Sequence, residues 1–349
     1  MQQARLRSVK IVTFVIKLFK GMRFFYQLLI AAALLIQLGS CSTDVDNYAD
    51  YKDITIVYGL LETNQDTTFI KITKAFLGPG NALLMAKEAD SSNYPGKLNA
   101  RLLGKKNNID LPEIILDTIT RRNKLAGDSI FYFPEQKLYY TTASLDAAAT
   151  YTLRVERDAH NVEASTKMVQ EFSIVQPTNR FNFASTASTS VKWRAAANGK
   201  LHEVVVVFNF EELWPGNSDT LKKTMVWNMG TASAKTSNGD EDLEITYSGE
   251  EFYSRLAGAI DVNALNVRRF AGNVDLYISS GGEDLTTYIE VNAPSNSIIQ
   301  EVPQFTNIEN GAGIFSSRKT VKRSYKMTVQ SEIKLVESYP WGFEIKLIP

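Results

Sequence analysis

Thiols are almost missing from this chain: of its 349 residues only Cys41 is a cysteine. A lone thiol excludes an internal disulfide and any thiolate metal cluster, so stability has to come from a buried core. Histidine is nearly as scarce, with His160 and His202 alone, and neither has metal-ligand spacing or a recognised nucleophile partner. Phosphate-binding glycine loops, dinucleotide fingerprints and EF-hand loops are missing as well. No charge of one sign dominates, since 38 Lys and Arg face 38 Asp and Glu. The basic residues are scattered in pairs such as Lys105-Lys106, Arg121-Arg122 and Arg268-Arg269, not gathered on the concentrated basic face of a nucleic-acid protein. The expectation is a non-enzyme without cofactor, and nucleic acid is not an expected partner.

Acidic residues are absent from positions 1–40, which hold six basic ones. Arg23 precedes an apolar stretch from Phe24 to Leu38, interrupted only by Gln27 and Gln37, and small residues follow in Leu38-Gly39-Ser40-Cys41. The stretch is short for a bilayer-spanning helix, which wants about 20 apolar residues, and has the parts of a secretory signal. Its end resembles a bacterial lipobox, which implies cleavage before Cys41 and lipidation of that thiol. Met22 would start a compact signal by itself, so residues 1–21, with Arg5, Arg7, Lys10, Lys17 and Lys20, read as an over-extended gene start. An uncleaved anchor made from Ile11 to Leu38 is the alternative. Removal of residues 1–40 leaves 32 basic against 38 acidic residues, a net charge of about −6. The polar segment from Ser42 to Asp50 makes residues 41–52 an expected flexible tether. Asp44 and Asp46 resemble the acidic signal for transfer to the outer leaflet in lipoproteins of the Bacteroidota; ordinary linker charges are the other reading.

The 309 residues from Cys41 onward exceed what one core normally serves, so two domains are expected, 53–175 and 176–349. Alternation of apolar and polar residues in short β-branched and aromatic segments sets the fold class. Ile54–Leu61 and Phe69–Phe76 flank Thr63-Asn64-Gln65-Asp66 as a hairpin. Further strands are expected at Lys97–Leu103, Ile114–Thr120, Ser129–Phe133, Lys137–Thr142, Thr150–Arg157 and Lys167–Ile174. Val175-Gln176-Pro177-Thr178-Asn179 then breaks the pattern and marks the boundary. Beyond it, Val191-Lys192-Trp193, a turn at Asn198-Gly199 and the run Val204–Phe210 resemble the early strands of a fibronectin-like module. Glu203–Phe210 is apolar enough for a central strand covered on both sides. Thr220–Met229, Leu243–Tyr247, Val274–Ser279, Leu285–Val291, Ser324–Gln330 and Phe343–Ile348 continue the strands. The spacing predicts an all-β protein of two tandem β-sandwich domains, immunoglobulin- or fibronectin-like, with one or two short helices.

Those helices have local signatures. Leu83–Glu88 follows Asn81, which can cap free amides. Ser248-Gly249-Glu250-Glu251 is a capping box, and Phe252, Leu256 and Ile260 form one apolar stripe, predicting a helix over about 249–260. Leu145 followed by Tyr151-Thr152-Leu153-Arg154-Val155 resembles the tyrosine corner of such sandwiches, in which the hydroxyl ties the corner to backbone.

Candidate site residues are few. Asp240, Asp242 and Glu244 beside Asn238-Gly239 form an oxygen-rich stretch that could hold Ca²⁺, but the spacing matches no standard loop and a solvated turn is the preferred reading. Glu250 and Glu251 could be offered as a glycosidase acid and base; their place at a helix N-terminus accounts for them without catalysis. Among the aromatic residues, Trp193 and Trp227 read as core. Trp214-Pro215-Gly216 and Tyr339-Pro340-Trp341-Gly342 place rings in turns, so Trp214, Tyr339 and Trp341 are the candidates for stacking on a ligand.

Asn307-Ile308-Glu309-Asn310-Gly311-Ala312-Gly313-Ile314-Phe315 is similar to an Asn-x-x-x-Gly-x-Gly-Ile-Phe signature in a family of uncharacterised Bacteroidota lipoproteins. Tyr58-Gly59-Leu60 and Lys74-Ala75-Phe76-Leu77-Gly78 resemble the start of the same family. The resemblance implies an outer-membrane address, periplasmic or surface-exposed, and a role beside TonB-dependent transporter systems in nutrient uptake. It carries no catalytic residues. Expected partners are the membrane through lipidated Cys41, an outer-membrane transporter or other envelope protein, and a glycan or peptide ligand. The leading expectation is a lipid-anchored, non-catalytic envelope protein that binds a ligand or docks on such a complex; the alternative is a structural or adhesive surface protein of pilus-like or matrix type.

Overall fold

A computed structural model describes residues 54–63, 65–75, 82–123, 132–157, 161–186, 188–293 and 304–345. The chain divides into two units, Met1–Ala49 and Asp50–Pro349. The signal segment, Met22, Cys41, the tether, His160 and most of the expected strand Ser129–Phe133 lie outside the described residues. Among the described residues no helix is long and apolar enough to cross a membrane.

In chain order the first half contributes β1 (Ile54–Leu61), β2 (Thr68–Ala75), the single turns α1 (Ala82–Met85) and α2 (Ala89–Ser92), and β3 (Ala100–Lys106). β4 (Ile109–Asp110), β5 (Ile114–Ile115), β6 (Asp117–Arg121), β7 (Gln136–Thr141), β8 (Thr150–Val155) and β9 (Val162–Lys167) follow. The second half begins with β10 (Ile174–Gln176), β11 (Arg180–Phe181), β12 (Thr189–Arg194), β13 (Leu201–Leu213), β14 (Leu221–Ser233) and β15 (Asp242–Tyr247). It continues with α3 (Gly249–Ala259), β16 (Arg268–Gly281), α4 (Glu283–Val291), β17 (Gly311–Met327), α5 (Val329–Glu337) and β18 (Phe343–Glu344).

The fold is all-β, with sheets stacked as sandwich-like layers. A ten-stranded sheet runs β14-β13-β16-β17-β1-β2-β7-β6, with β11 added to β17 and β18 to β16. A five-stranded sheet (β4-β3-β8-β9, with β5 on β3) and a three-stranded sheet (β10-β12-β15) are separate from it. Two hydrophobic clusters result. The first joins Val57, Ile70 and Tyr139 of the large sheet to Leu102, Leu153 and Val162 of the five-stranded one. The second joins Val206, Phe208, Trp227 and Leu276 to Val191, Trp193 and Tyr247 of the three-stranded sheet, with Phe252 of α3 and Leu335 of α5 closing it. Each fully buried Val, Leu or Phe in these layers stabilises the fold by roughly 1.5–3 kcal/mol.

One strand belongs to both layers. The first seven residues of β17 pair in parallel with β1, Thr55 opposite Gly311 through Leu61 opposite Ser317. From Arg318 onward β17 pairs antiparallel with β16 instead. Phe315 enters the first cluster, Tyr325 and Met327 the second. The signature residues explain the entry into this strand. Asn307 Nδ2 donates to the Phe315 carbonyl at 2.7 Å, and Phe315 N donates back to Asn307 Oδ1 at 3.0 Å. Gly313 has φ +107°, and a Cβ there would stand 2.1 Å from the Val57 carbonyl oxygen, so only glycine lets β1 and β17 approach.

Several local expectations are met in kind. β1 and β2 form the hairpin. The Tyr151 hydroxyl accepts from the Asp146 amide at 2.8 Å, the corner that Leu145 and Tyr151 suggest. α3 spans Gly249–Ala259 and buries Phe252, Tyr253 and Leu256.

Other local expectations need correction. Five helices occur among the described residues where one or two were expected. Leu285–Val291 is helix α4, not a strand: Glu283 and Asp284 suit the positive end of a helix, and Leu285, Tyr288 and Ile289 keep helical spacing, while Leu285, Ile289 and Val291 would share one face of a strand. Strand β17 stops at Met327 because Thr328 caps α5, its side chain accepting from the Ser331 amide. Residues 168–173, expected as strand, lie outside any element and carry the chain from one cluster to the other. β13 is central but alternates, with Val204, Val206, Phe208 and Phe210 buried and Val205 and Val207 only half-buried. Asn198-Gly199 makes no hairpin, since β12 and β13 belong to different sheets and the turn crosses between them.

Candidate functional site

Three groups weighed for acid–base chemistry, His202, Glu250 and Glu251, have structural places. His202 lies fully buried in β13, where Nε2 accepts from the Ala196 amide at 3.1 Å and the ring meets Phe172 edge-on at 5.6 Å. Burial pushes its pKa down to about 4 against the opposing pull of the Lys200 backbone, so the ring is neutral at pH 7. At the start of α3 the Ser248 hydroxyl accepts from Glu251 N at 3.2 Å. The Glu251 carboxylate does not return the capping bond; it pairs with Arg255 one turn on at 3.0 Å. Glu250 and Glu251 are thus first-turn residues that suit the helix dipole.

The acidic stretch is likewise occupied. Asp242 and Glu244 share one face of β15 and meet their cross-strand neighbours on β12, Arg194 at 2.9 Å and Lys192 at 3.1 Å. Glu241 accepts from the amides of Lys235 and Thr236, which hold its carboxyl below the usual range. Asp240 meets only the Thr236 hydroxyl, at 3.5 Å. No group of three His, Cys, Asp or Glu that could hold a metal ion occurs among the described residues.

Trp214, Tyr339 and Trp341 are brought to one corner of the second sandwich by a buried ion pair. Arg269 Nε bonds Glu212 Oε1 at 2.8 Å, with the two side chains 1% and 6% exposed. The other guanidinium nitrogens donate to the carbonyls of Trp341 at 2.6 Å and Asp261 at 3.1 Å. Trp214 Nε1 donates to the second oxygen of Glu212 at 3.3 Å. Tyr339 stacks between Tyr253, 4.7 Å away, and Trp341, 4.3 Å away. Trp214, Tyr339 and Trp341 are half-buried, and the rings are packed on each other and on the pair. Sequence reasoning located the rings and missed Glu212 and Arg269.

A more open site lies on the outer face of the first sandwich. Alternation along β1 and β2 buries Val57, Ile70 and Ile72 and turns Tyr58 and Phe69 outward, 44% and 38% exposed. α4 flanks this face and adds Leu285, Tyr288 and Ile289, the last 46% exposed. A cleft of about 510 Å³ results, floored by Tyr58, Leu60, Phe69 and Ile314. Burial and a hydrogen bond with Tyr288 push the Tyr58 phenol up. At one end Glu62 is buried and accepts from Arg318 Nε and Thr320 N, each at 2.9 Å. A second cleft of about 490 Å³ shares Tyr58 and continues along the sheet past Ile56 and Thr73 to Asn93 and Glu135. The two family-like segments meet on this floor: Tyr58 is opposite Ile314 and Gly59 opposite Phe315. A Cβ on Gly59 would stand 2.9 Å from the Phe315 ring, so glycine makes room for that ring. Both segments stood out in the sequence; their adjacency and the contribution of α4 did not.

No protein-family model and no curated protein matches the chain. Solved structures include a match to the crystal structure of CBD12 from CALX1.2, at 7% identity over 78% of this chain and 99% of that one, with a TM-score of 0.17. A likeness so slight carries no argument about fold or function.

Proposed function

We propose that this chain is a lipid-anchored, non-catalytic envelope protein, tethered through Cys41 to the outer membrane, that docks an apolar segment of a partner protein of the transporter type in the Tyr58–Ile289 cleft. The cleft carries the reading. Its exposed aromatic and aliphatic floor with a polar end at Glu62, Gln65 and Arg318 has the apolar centre and polar rim of a protein interface, and tyrosines are favoured anchors there. Aliphatic Leu60, Leu285, Ile289 and Ile314 suit an apolar protein segment better than a sugar, whose hydroxyls would find few partners on this floor. The non-catalytic part rests on the commitment of His202, Glu250 and Glu251 to core and helix cap.

Two measurements test it in the full-length protein. Cys41→Ala should move it from the membrane fraction to the soluble one; retention in the membrane overturns the anchor. A photo-crosslinking residue in place of Phe69 should yield one discrete adduct with an outer-membrane transporter in whole cells. Ile289→Asp should weaken that capture at least ten-fold, about 1.4 kcal/mol. Capture that ignores Ile289→Asp, or glycan binding that Ile289→Asp abolishes, overturns protein docking at this cleft.

The structural or adhesive alternative has one observation in its favour. β14 ends the ten-stranded sheet as an edge of 13 residues, with Leu221 and Val226 exposed, and an unpaired edge can template another strand. Concentration-dependent self-association lost on Thr224→Pro would support that reading; a monomer at all concentrations would remove it.

A further inference from the structure

We propose a second ligand site, separate from the docking cleft, for a small uncharged polyhydroxylated molecule such as a monosaccharide, in the polar pocket at the N-terminus of α4. The pocket encloses about 380 Å³, the lower end of the range for small-molecule sites. It sits where the two sandwiches join. The end of β9 supplies Ser165 and Thr166, the start of β8 supplies Thr150, the crossing turn and its neighbour supply Asn198 and Ser237, and β17 supplies Ser316.

Two independent features aim donors into this space. α4 has nine residues, and its N-cap, Gly282, provides no side-chain hydrogen bond, so the first-turn amides have no side-chain acceptor and face outward. Ser316 is 1% exposed, and its Oγ has no hydrogen-bond partner. That hydroxyl points at the helix start, since a Cβ on Gly282 would stand 3.1 Å from it. Any side chain at position 282 would narrow the gap that glycine leaves open. A buried hydroxyl without a partner is costly, and a ligand hydroxyl arriving at the helix start would satisfy it.

Charge selects the ligand class. Glu283 and Asp284 flank the amides, and Lys167 is the one cation of the lining, so an anion at this helix end would meet net negative charge. Asp284 is held by Asn307 Nδ2 at 3.0 Å, which fixes one acceptor oxygen and leaves the other to a ligand. Every lining side chain is polar, which disfavours an apolar guest. A hydroxyl both donates and accepts: it can take a bond from the α4 amides or Ser316 and give one to Glu283 or Asp284. An uncharged polyol uses all of these groups at once.

The test is thermal unfolding of the purified full chain in detergent, titrated with D-glucose, D-galactose and N-acetyl-D-glucosamine, and in parallel with inorganic phosphate. At least one sugar is expected to raise the melting temperature saturably, and phosphate is not. Ser316→Ala should weaken sugar binding at least ten-fold while the free variant melts at or above the wild-type temperature, because the lost hydroxyl had no partner. Ile289→Asp, in the docking cleft, should leave the sugar effect intact. The proposal is overturned if no sugar shifts the transition, if phosphate shifts it instead, if Ser316→Ala leaves the sugar effect unchanged, or if Ile289→Asp abolishes it.

Discussion

The Glu212–Arg269 pair is the most exacting point at which to test the energetics, because neither partner reaches water. Glu212→Ala leaves a guanidinium that is 1% exposed with only the carbonyls of Trp341 and Asp261 to neutralise it. Breaking a buried pair from one side costs about 3–5 kcal/mol, because the surviving charge stays desolvated. For a unit of this size that corresponds to a fall in melting temperature of roughly 5–8 °C. Arg269→Met should cost a similar amount by stranding the carboxylate. Removing both, as Glu212→Leu with Arg269→Met, should cost less than either single change, since no charge is then left buried. Urea denaturation followed by tryptophan emission measures all three. Trp214 loses its acceptor in Glu212→Ala and Trp341 its tether in Arg269→Met, so exchange of the residue-269 amide, which donates to the Gly342 carbonyl, should accelerate. A loss below about 1 kcal/mol in Glu212→Ala, or a double variant as damaged as the sum of its parts, would refute the argument.

Other perturbations address single contacts. Gly313→Ala forces a Cβ to 2.1 Å from the Val57 carbonyl at φ +107° and should destabilise by at least about 3 kcal/mol, read as a lower urea midpoint; a neutral variant would mean that β1 and β17 do not need this approach. His202 gives a pH dependence. The unfolded ring takes a proton near pH 6.5 and the folded ring resists until about 4. The unfolded state therefore binds more protons between those values, and stability is full above pH 6.5 and falls by up to about 3 kcal/mol toward pH 4. His202→Gln should flatten that part of the profile, and an unchanged slope would assign it to carboxylates. Tyr151→Phe removes the acceptor of the half-buried Asp146 amide and should cost about 1 kcal/mol in urea midpoint analysis; no change would mean water replaces the hydroxyl.

Legibility in the sequence followed the range of the interaction. The β1–β2 hairpin, the Ser248 cap with its Phe252 and Leu256 stripe, and the Tyr151 corner all depend on residues within about two dozen positions, and all could be read. α4 could not, because Leu285, Ile289 and Val291 would share one strand face as readily as Leu285, Tyr288 and Ile289 share one helix face, and the deciding term is packing against β17. The rings of Trp214, Tyr339 and Trp341 announced themselves through Pro and Gly neighbours. The ion pair that gathers them joins residues 57 positions apart and has no local signal. The Tyr58 cleft is less legible still, since its walls come from residues 58–69, 285–289 and 314–318.

The strand that both layers share sets the order in which the protein can be completed. Glu62 and Arg318, which close the same end of the cleft, are 256 residues apart, so the first sandwich waits for nearly the whole chain to emerge before its parallel partner strand arrives. A chain emerging from its N-terminus would hold Ile54–Leu61 with one neighbour only, an open edge exposed to the wrong partner, until Gly311–Ser317 follows. Truncation before residue 311 would damage the layer farthest from the cut in sequence, and the two layers should melt in one transition.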